Sequence, residues 1–416
     1  MKLMMLGASS AQLAGIRTAQ AMGHQVVVCD YLPEAPGHRL ADHSVLASTF
    51  DYEAVLTAAR AFRIDGIMTM GTDQPVYTAA RVAKALELPS LLSPETALAV
   101  THKGVMKRRL AQGGVPLADY RIYRKGEDEG LLRDLVFPVV VKPLDSQGQR
   151  GVRYLESPEA VAANYEEVLA FSREKGILVE SHYPHEEVTV SGWVWQGQAR
   201  VLAVTDRISF SDKDRIGICL SHEYPSRHRE AHGAELLGLT QRIVDVMGIG
   251  EGPLYFQFFI GAEGILVNEI ACRIGGAYEA EYLPAVTGVD ICRLQILAAL
   301  GLPAEDPKLQ AADLVDGLEH WSVQLFFAEP GIAAGVTPLE EILACEGVFK
   351  GGLSIAPGSV LKPIRDATAR AGFVIVRGPD RAGLEKRLQA LYRQLRIEDD
   401  SGRDLLIHRP LSNFGG

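Results

Sequence analysis

Over the first hundred residues, short apolar runs alternate with stretches in which apolar residues recur every three or four positions. The runs at Leu3–Leu6, Gln25–Cys29 and Gly66–Met70 have the length and composition of buried strands. The helical spacing falls on residues 11–22, 51–62 and 75–86. Strands that alternate with helices form a parallel sheet with helices on both faces, so we predict an α/β domain over residues 1–113.

The alternation stops near Gly113–Pro116, where two glycines and a proline indicate a domain boundary. Beyond it, the pattern predicts a strand, a glycine-containing loop and a strand over 136–155, two strands over 177–195, a helix over 233–247 and a hairpin over 253–270. This mixture predicts an α+β domain over residues 114–305. Short apolar runs between Gly-Pro turns, followed by a final helix over 383–395, predict a smaller α+β unit over residues 306–416.

Composition narrows the class of protein further. The 416 residues carry a net charge of −10, which argues against a nucleic-acid partner, because a phosphate backbone requires a basic surface. Phosphate-bearing small molecules remain compatible, since a few local cations suffice for them. No apolar run approaches the ~20 residues that span a bilayer. The five cysteines are scattered without CxxC spacing, so we expect reduced thiols in a cytoplasmic protein with no membrane segment.

Lys142 ends the apolar strand Pro138–Lys142, and a small polar loop with two glycines follows it over residues 146–151. A lysine at this place is costly to bury unpaired, so we expect it to meet an anion. The glycines let backbone amides approach phosphate oxygens closely. The alternative is a hairpin with a solvated lysine.

The predicted hairpin places three polar residues in apolar surroundings. Gln257 and Glu269 stand on its two strands, and their side chains can face one another across the pair. Oxygen ligands beside bound phosphates are what Mg²⁺ uses in ATP enzymes. Arg273 follows on the same face as Glu269, and its guanidinium suits a phosphate or a carboxylate. The alternative is a buried salt bridge between Glu269 and Arg273.

Two more segments carry charges that can meet a nucleotide. Glu180 ends an apolar strand and Glu187 follows seven residues later, where carboxylates can accept hydrogen bonds from an adenine amine or from ribose hydroxyls. Taken alone, exposed acids that flank a turn are the simpler interpretation. Lys103 opens a helix that runs to Gly113, where the helix dipole disfavours a cation unless a ligand brings an anion near it. The alternative for Lys103 is a surface lysine.

Two groups of residues have weaker support. Ligands of parallel sheets bind at the carboxyl ends of strands, which makes Gly7, Asp30 and Asp73 positional candidates. The turn at Gly7 lacks GxGxxG, which argues against NAD. The polar stretch 206–229 has no clear periodicity and is either the acceptor side of a site or a solvated loop. Its candidate residues are Arg207, Lys213, Arg215 and His222.

The order of these features resembles the ATP-grasp superfamily. Lys103, Lys142 with its glycine loop, the Glu180–Glu187 segment, and Gln257 followed by Glu269-x-x-x-Arg273 have the order and spacing of that group. The chain is similar over almost its whole length to biotin carboxylase, purine-pathway ligases and L-amino acid ligases. The resemblance implies a Rossmann-like N-terminal domain (1–113), an ATP-grasp domain (114–305) with a mobile lid at about 116–180, and a small C-terminal α+β unit (306–416).

The resemblance also implies roles for individual residues, with ATP and Mg²⁺ (or Mn²⁺) as cofactors. Lys103 and Lys142 would hold the α- and β-phosphates, while Gln147, Gly148 and Gly151 belong to the loop that closes over the β- and γ-phosphates. Glu180, His182 and Tyr183 would read adenine. Phe259 would pack against the adenine ring, and Glu187 would bind the ribose. Gln257 and Glu269 would carry the metal, and Arg273, with Lys142, would be catalytic.

Two positions depart from the usual pattern of that group. The first metal ligand is often glutamate, and here it is the neutral Gln257. The usual asparagine two residues after the second glutamate is Ala271 here, as in some carboxylating and amino-acid-ligating members. Both departures weaken the second Mg²⁺ site.

The implied activity is that of a carboxylate–amine ligase, which converts a substrate carboxylate into an acyl phosphate and joins it to an amine, releasing ADP and phosphate. The expected partners are therefore a small-molecule carboxylate and an amine. A bicarbonate-activating carboxylase of the same fold is a second interpretation, although the chain has no Met-Lys-Met biotinyl site. A nucleotide-binding regulatory module without turnover is a third. Dimers are common in this group, so a homodimer is compatible with the resemblance.

Overall fold

The N-terminal segment is a parallel α/β unit in the computed structural model, which describes residues 1–127, 129–310 and 319–408. Its strands are β1 (Lys2–Leu6), β2 (Gln25–Asp30), β3 (His43–Leu46) and β4 (Gly66–Met68). Its helices are α1 (Leu13–Ala21), α2 (Gly37–Leu40), α3 (Tyr52–Phe62), α4 (Pro75–Ala85), α5 (Pro94–Thr101) and α6 (Lys103–Gln112). The sheet order is β3-β2-β1-β4 with parallel pairing, which confirms the predicted parallel sheet.

Alternate side chains of β1 explain why this strand is apolar throughout. Leu3 and Met5 pack into one core cluster with α1, whereas Met4 and Leu6 pack into another with α3 and α4. A strand covered by helices on both faces has no polar face to show, so it reads as a continuous apolar run.

Residues 120–181 form a small separate sheet. It contains β5 (Tyr120–Tyr123), β6 (Val139–Pro143), β7 (Arg153–Leu155), α7 (Pro158–Leu169) and β8 (Ile177–Ser181). The strands pair antiparallel in the order β5-β8-β6-β7, and α7 packs against them through Val161, Tyr165 and Val168. This sheet lies within the stretch predicted to be the lid, whose mobility and limits stay predictions.

The next segment builds most of a large antiparallel sheet. Its strands are β9 (Glu186–Trp195), β10 (Gln198–Ser209), β11 (Cys219–Tyr224), β12 (Gly252–Gly261) and β13 (Gly264–Ala271). Its helices are α8 (Arg229–Met247), α9 (Glu279–Thr287), α10 (Ile291–Ala299) and α11 (Pro307–Gln310). The β12–β13 hairpin and the helix that ends at Met247 confirm the corresponding sequence predictions.

The C-terminal segment completes the same sheet. It contains β14 (His320–Phe326), β15 (Gly331–Ile332), β16 (Gly335–Val336), α12 (Leu339–Leu343), β17 (Val348–Leu353), β18 (Val360–Leu361), β19 (Gly372–Gly378), α13 (Arg381–Gln394) and β20 (Ile397–Glu398). The large sheet runs β13-β12-β9-β10-β11-β14-β19-β17, so the predicted units 114–305 and 306–416 share one sheet. Residues 311–318 and 409–416 of the predicted C-terminal unit lie outside the described residues.

The polar stretch 206–229 requires a correction. Residues 206–209 end β10 and residues 219–224 form β11, both in the interior of the large sheet. Arg207 and His222 are buried, so a solvated loop is the wrong interpretation for these two residues, whereas Lys213 and Arg215 do lie in the connecting loop. Arg207 and His222 tolerate burial because each has a hydrogen-bond partner on a neighbouring strand. Arg207 donates to Glu187 of β9, and His222 shares a hydrogen bond with Thr205 of β10.

Candidate functional site

A cavity of about 760 Å³ lies between the small sheet and the large sheet, and we call it the main cavity. Its volume falls in the range of small-molecule and cofactor sites. Of the thirteen residues predicted to form the site, ten line it, namely Lys103, Lys142, Gln147, Gly148, Glu180, His182, Tyr183, Glu187, Phe259 and Glu269. The three that do not line it are Gly151, Gln257 and Arg273. The structure therefore brings together segments that are widely separated in the sequence.

Lys142 belongs to a buried group of charges. Its Nζ lies 2.7 Å from Glu180 Oε2 and donates to Asn268 Oδ1 at 2.9 Å, while Glu180 Oε1 lies 2.5 Å from Lys107 Nζ. Burial opposes ionisation of Glu180, but Lys107 and Lys142 outweigh it and lower the pKa of this carboxyl to about 2. Lys142 is thus a fixed, paired cation at the cavity wall, and a solvated lysine is the wrong interpretation.

Glu180 has a different side-chain role from the one implied by the resemblance. Each of its carboxylate oxygens is paired with a lysine, so holding Lys107 and Lys142 is the role that the structure shows for this side chain. The pairing follows from burial, because a carboxylate that is 6% exposed requires charged partners within the protein. Recognition of adenine by this segment stays a prediction.

Lys103 and Glu269 face each other across the cavity floor. Lys103 is the first residue of α6, its Nζ donates to Ser146 O at 2.5 Å, and Glu269 Oε1 lies 3.6 Å away. That distance is too long for a hydrogen bond, so the carboxylate is not locked to the lysine. Burial acts to raise the pKa of Glu269, but Lys103 and Lys142 outweigh it and lower this pKa. An ionised, 27% exposed carboxylate beside two lysines can therefore accept a metal ion.

The glycine-containing loop contacts both the N-terminal unit and the C-terminal segment. Gln147 Oε1 accepts from the backbone N–H of Asp73 at 2.5 Å and of Gln74 at 3.1 Å, and Gln147 Nε2 donates to Thr72 Oγ1. The neighbouring Gly148 O accepts from Ala367 N at 3.1 Å. The Gln147 side chain is thus used to hold the loop down, and the loop's backbone is the part that can meet phosphates.

Gly151 shapes this loop without lining the cavity. Its φ of +75° lies in the left-handed region, and an added Cβ would come within 2.8 Å of Phe171 and Pro143. A glycine is therefore required at this position for both conformation and space. Its predicted place among the phosphate-binding residues is not supported by direct contact with the cavity.

The segment 182–187 forms the opposite rim of the cavity. Tyr183 Oη donates to Gly264 O at 2.9 Å and accepts from Glu263 N at 3.0 Å, which ties the rim to the β12–β13 turn. His182 lies edge-on to Tyr154, with ring centroids 5.1 Å apart. His185 stacks on Phe259 with ring centroids 3.6 Å apart. One face of the Phe259 ring, which was predicted to pack against adenine, is therefore covered by an imidazole, whose pKa is lowered by burial.

Glu187 is tied into the sheet below this rim. Its Oε2 lies 2.5 Å from Arg207 Nη1, and its Oε1 accepts from Asn268 Nδ2 at 3.3 Å. Burial disfavours the charge of Arg207, but Glu187 more than offsets it and raises the pKa of the guanidinium. Glu187 also lines the cavity, and each of its oxygens can accept a further hydrogen bond, so the carboxylate can hold Arg207 and still meet a ribose hydroxyl.

Gln257 and Glu269 pair directly across the β12–β13 ladder, as the sequence predicted. The register then shifts, so that Phe258 pairs with Val267 and Asn268 becomes the extra residue of a β-bulge. Gln257 Oε1 accepts from Asn268 Nδ2 at 3.3 Å, and Gln257 does not line the cavity. A bulge re-aims the side chains beside it, which brings Asn268 to the cavity wall in addition to Glu269.

The oxygen ligands that Gln257 and Glu269 offer fit one magnesium ion better than two. Gln257 is neutral and does not line the cavity, which leaves the Glu269 carboxylate as the open anionic ligand. Within the described ranges, no three His, Cys, Asp or Glu side chains converge on a point that could hold a metal ion. Mg²⁺ at Glu269 would take its remaining ligands from phosphates and water, as Mg²⁺ does in ATP enzymes.

Arg273 pairs with an N-terminal residue. Its Nη2 lies 2.5 Å from Asp73 Oδ1, and its guanidinium lies 4.6 Å from the centre of the Tyr255 ring. The alternative of a buried Glu269–Arg273 salt bridge is therefore wrong, because Asp73 is the acidic partner. Burial raises the pKa of Asp73, although Arg273 opposes the shift. Of the three positional candidates, Asp73 thus joins the site, whereas Asp30 accepts from the backbone N–H groups of Ala8 and Leu32 within its own domain.

Four residues of the site were missed or undervalued from the sequence: Lys107, Asn268, Asp73 and Arg207. One signal for Lys107 existed, because it lies one helical turn after Lys103 and a like-charged pair at this spacing needs anions nearby. Asn268 offered none, since a one-residue shift of register cannot be seen in the pattern of a hairpin.

His222 gives the fold a pH dependence that can be measured. Burial, followed by Arg207 and Arg370, lowers its pKa to about 3. An unfolded histidine titrates near ~6.5, so below that pH the unfolded chain binds a proton that the folded chain does not, and stability falls as the pH falls. We expect this group to remove about 1.4 kcal/mol of unfolding free energy per pH unit from about pH 6 to pH 4. Urea unfolding of His222→Gln should give a flatter profile over that range, and parallel profiles would contradict the assignment.

Comparison with known proteins gives one pattern match and several relatives. Residues 324–400 match the sequence pattern of "L-amino acid ligase C-terminal domain 2". The formate-dependent phosphoribosylglycinamide formyltransferase of a Synechocystis species is 24% identical over 297 residues, which cover 68% of this chain and 72% of that protein.

Two solved structures share the whole architecture. The L-amino acid ligase from Bacillus licheniformis superposes with a TM-score of 0.81 at 18% identity, over 98% of this chain and 99% of that one. The biotin carboxylase domain of the Hydrogenobacter thermophilus 2-oxoglutarate carboxylase, solved as a dimer with MgADP, ADP and bicarbonate, superposes with a TM-score of 0.74 at 17% identity, over 95% and 90% of the two chains. At these identities the superpositions show a common fold.

In the parts of the chain that the structure describes, no helix is both long enough and apolar enough to cross a bilayer.

Proposed function

We propose that the chain, which shares the fold of these ligases and carboxylases, is an ATP-grasp protein and an ATP-dependent ligase that joins a small-molecule carboxylate to an amine. The substrate carboxylate attacks the γ-phosphorus of ATP, which gives an acyl phosphate and ADP. The amine then attacks the acyl carbon, and phosphate leaves. Its cytoplasmic location and a homodimeric state stay predictions.

One observation carries the proposal. Lys103, Lys142 and an ionised Glu269 line the same cavity, and the glycine-containing loop closes one side of it. Two fixed cations suit the α- and β-phosphates, and a single open carboxylate suits the Mg²⁺ that accompanies them. This charge pattern favours an anionic ligand with a bound metal ion over a neutral ligand.

The surrounding residues supply positioning and charge neutralisation. Backbone amides of the loop around Gly148 would cover the outer phosphates, and the Gln147 side chain fixes this loop against residues 72–74. The loop would also exclude water, which would hydrolyse an acyl phosphate. Bound Mg²⁺ would neutralise phosphate charge at Glu269. Arg273, which is paired with Asp73, would stabilise the charge of the transferred phosphoryl group.

A bicarbonate-activating carboxylase is the second candidate. The favouring observation is the fold shared with a biotin carboxylase domain that was solved with bicarbonate. Such an enzyme would form carboxyphosphate in place of an acyl phosphate and would need a separate acceptor. A regulatory module without turnover is a third candidate, but the presence of Lys142, Glu269 and Arg273 counts against it.

ADP release with Mg²⁺–ATP tests the proposal. A panel of carboxylates, amino acids and bicarbonate is assayed, each with and without amines, and we expect ADP formation that depends on one acid and one amine. ADP formation with bicarbonate alone would favour the carboxylase. Tight ADP binding with no turnover across the panel would favour the regulatory module and contradict the ligase.

A further inference from the structure

Helix α6 carries two lysines one turn apart that occupy different environments. Lys103 lines the main cavity, whereas Lys107 does not, and its side chain is only 1% exposed. Lys107 Nζ lies 2.5 Å from Glu180 Oε1 and donates to Val267 O at 3.3 Å. A lysine is almost never fully buried unless it is paired, so Glu180 is the reason that the protein tolerates this charge.

Glu180 is shared between two lysines. Its other oxygen, Oε2, lies 2.7 Å from the Nζ of Lys142, whose side chain is 14% exposed and lines the cavity. Lys107, Glu180 and Lys142 form a row that leads from the sealed interior to the cavity wall, and we call it the buried triad. With two positive charges and one negative charge, the triad keeps one net positive charge, and the end that faces the cavity is Lys142.

The hydrogen bonds of Lys142 leave room for one ligand contact. An ammonium group has three N–H donors. Glu180 Oε2 at 2.7 Å and Asn268 Oδ1 at 2.9 Å can take two of them. The third is left for an acceptor in the cavity, in a direction fixed by the first two.

Lys107 decides how strongly that contact can bind an anion. Without it, Glu180 and Lys142 would form a neutral pair, and the carboxylate would repel any phosphate that approached Lys142. With it, the negative charge of Glu180 is offset from the interior side, and charges interact strongly there because little water screens them. The function of Lys107 is therefore exerted through Glu180 and not by contact.

We propose that Lys107 is a positioning residue for nucleotide binding, which neutralises Glu180 so that Lys142 presents a net positive charge and one free N–H to a phosphate group. The inference rests on the proposed function, since it takes the anion in the cavity to be the phosphate chain of ATP. It concerns a residue that touches neither substrate nor metal.

Binding of MgADP, measured by isothermal titration calorimetry on the full chain, tests this role. We expect Lys107→Met to weaken MgADP by at least about 30-fold, the scale for truncating one partner of a buried charge pair. The matched control is Arg108→Met, which removes the same charge from the next residue of α6, where the side chain is exposed. Its MgADP affinity should stay within about threefold of the wild type.

The double variant Lys107→Met/Glu180→Gln separates electrostatics from packing. It removes both members of the Lys107–Glu180 pair, so no uncompensated carboxylate is left beside Lys142. We expect its MgADP affinity to recover to within about tenfold of the wild type. A purely structural role for Lys107 would leave the double variant at least as weak as the single one.

Each outcome decides a different question. A wild-type chain that does not bind MgADP overturns the proposed function and the role of Lys107 with it. If the wild type binds and Lys107→Met binds equally well, the role of Lys107 is wrong while the proposed function stands. If the single and double variants bind MgADP equally weakly, the proposed role of Lys107 is also wrong. Should Lys107→Met not fold, the double variant decides, because recovered binding supports the proposal and a folded double variant without binding overturns it.

Discussion

Replacing Glu269 with alanine should lower the rate of ADP formation by about a thousandfold or more, because it removes the open anionic ligand for Mg²⁺ in the main cavity. The carboxylate is ionised, since Lys103 and Lys142 outweigh the effect of burial and lower its pKa. Gln257, its partner across the hairpin, cannot replace it, because Gln257 carries no charge and lies outside the cavity lining.

Measuring ADP binding with and without Mg²⁺ separates loss of the metal site from loss of the fold, which the rate of ADP formation alone does not. In the wild type, Mg²⁺ should strengthen ADP binding, whereas in Glu269→Ala it should have little effect. Metal-free ADP should bind Glu269→Ala at least as tightly as the wild type, because a negative charge beside Lys103 has been removed. Glu263→Ala, an exposed glutamate in the turn of the same hairpin, is the control and should keep full activity. Loss of metal-free ADP binding in Glu269→Ala would show that Glu269 supports the fold of the cavity instead.

The sequence was sufficient to predict an element where the spacing of apolar residues within that element shows which of its faces are buried. The strand Leu3–Leu6 and the helices beside it follow from apolar spacing alone, because each buries a continuous surface. The β12–β13 hairpin follows from two apolar runs around a glycine turn, and its register brings Gln257 opposite Glu269 without further information. An anionic partner for Lys142 could be predicted because a lysine at the end of a buried strand is costly without one, and the structure shows Glu180 in that place.

The sequence was insufficient where burial depends on residues far away in the chain. Strand β10 was missed because Val201–Val204 is buried on both faces, which erases the alternation that marks a strand, and polar residues follow it directly. Their burial is offset by distant partners, as when Asp206 accepts from Ser226 Oγ at 2.5 Å. The pairs Asp73–Arg273 and Lys107–Glu180 join different segments and leave no local pattern.

Two side chains of the site have partners within the protein that the resemblance did not imply. The resemblance assigned Glu180 to adenine and Gln147 to phosphates, because motif position alone says which residues are near the nucleotide. It does not say which side chains are already used by the protein. Glu180 is held by two lysines, and Gln147 holds the glycine-containing loop against the turn at Asp73. We therefore expect the backbone atoms of both segments to make the contacts with a nucleotide.

Arg273→Lys should lower kcat by about a hundredfold or more while MgADP affinity stays within about threefold of the wild type. The guanidinium does not line the cavity, so it contributes little to binding of the product nucleotide. It lies beside the cavity and is fixed by Asp73 and by the ring of Tyr255. A lysine keeps the positive charge that Asp73 requires, which preserves the fold. It loses the planar guanidinium, whose several N–H groups can hold a phosphoryl group and the Asp73 carboxylate at once.

Asp73→Asn is the matched variant on the other side of the pair. It leaves Arg273 in contact with Tyr255 but removes the carboxylate that orients it, so we expect a smaller fall in kcat, by about tenfold. Combining the two substitutions should cost little more than Arg273→Lys alone, because Asp73 acts through Arg273. Equal losses of kcat and of MgADP affinity in Arg273→Lys would place Arg273 in ground-state nucleotide binding. Full additivity in the double variant would give Asp73 a role of its own, independent of the arginine.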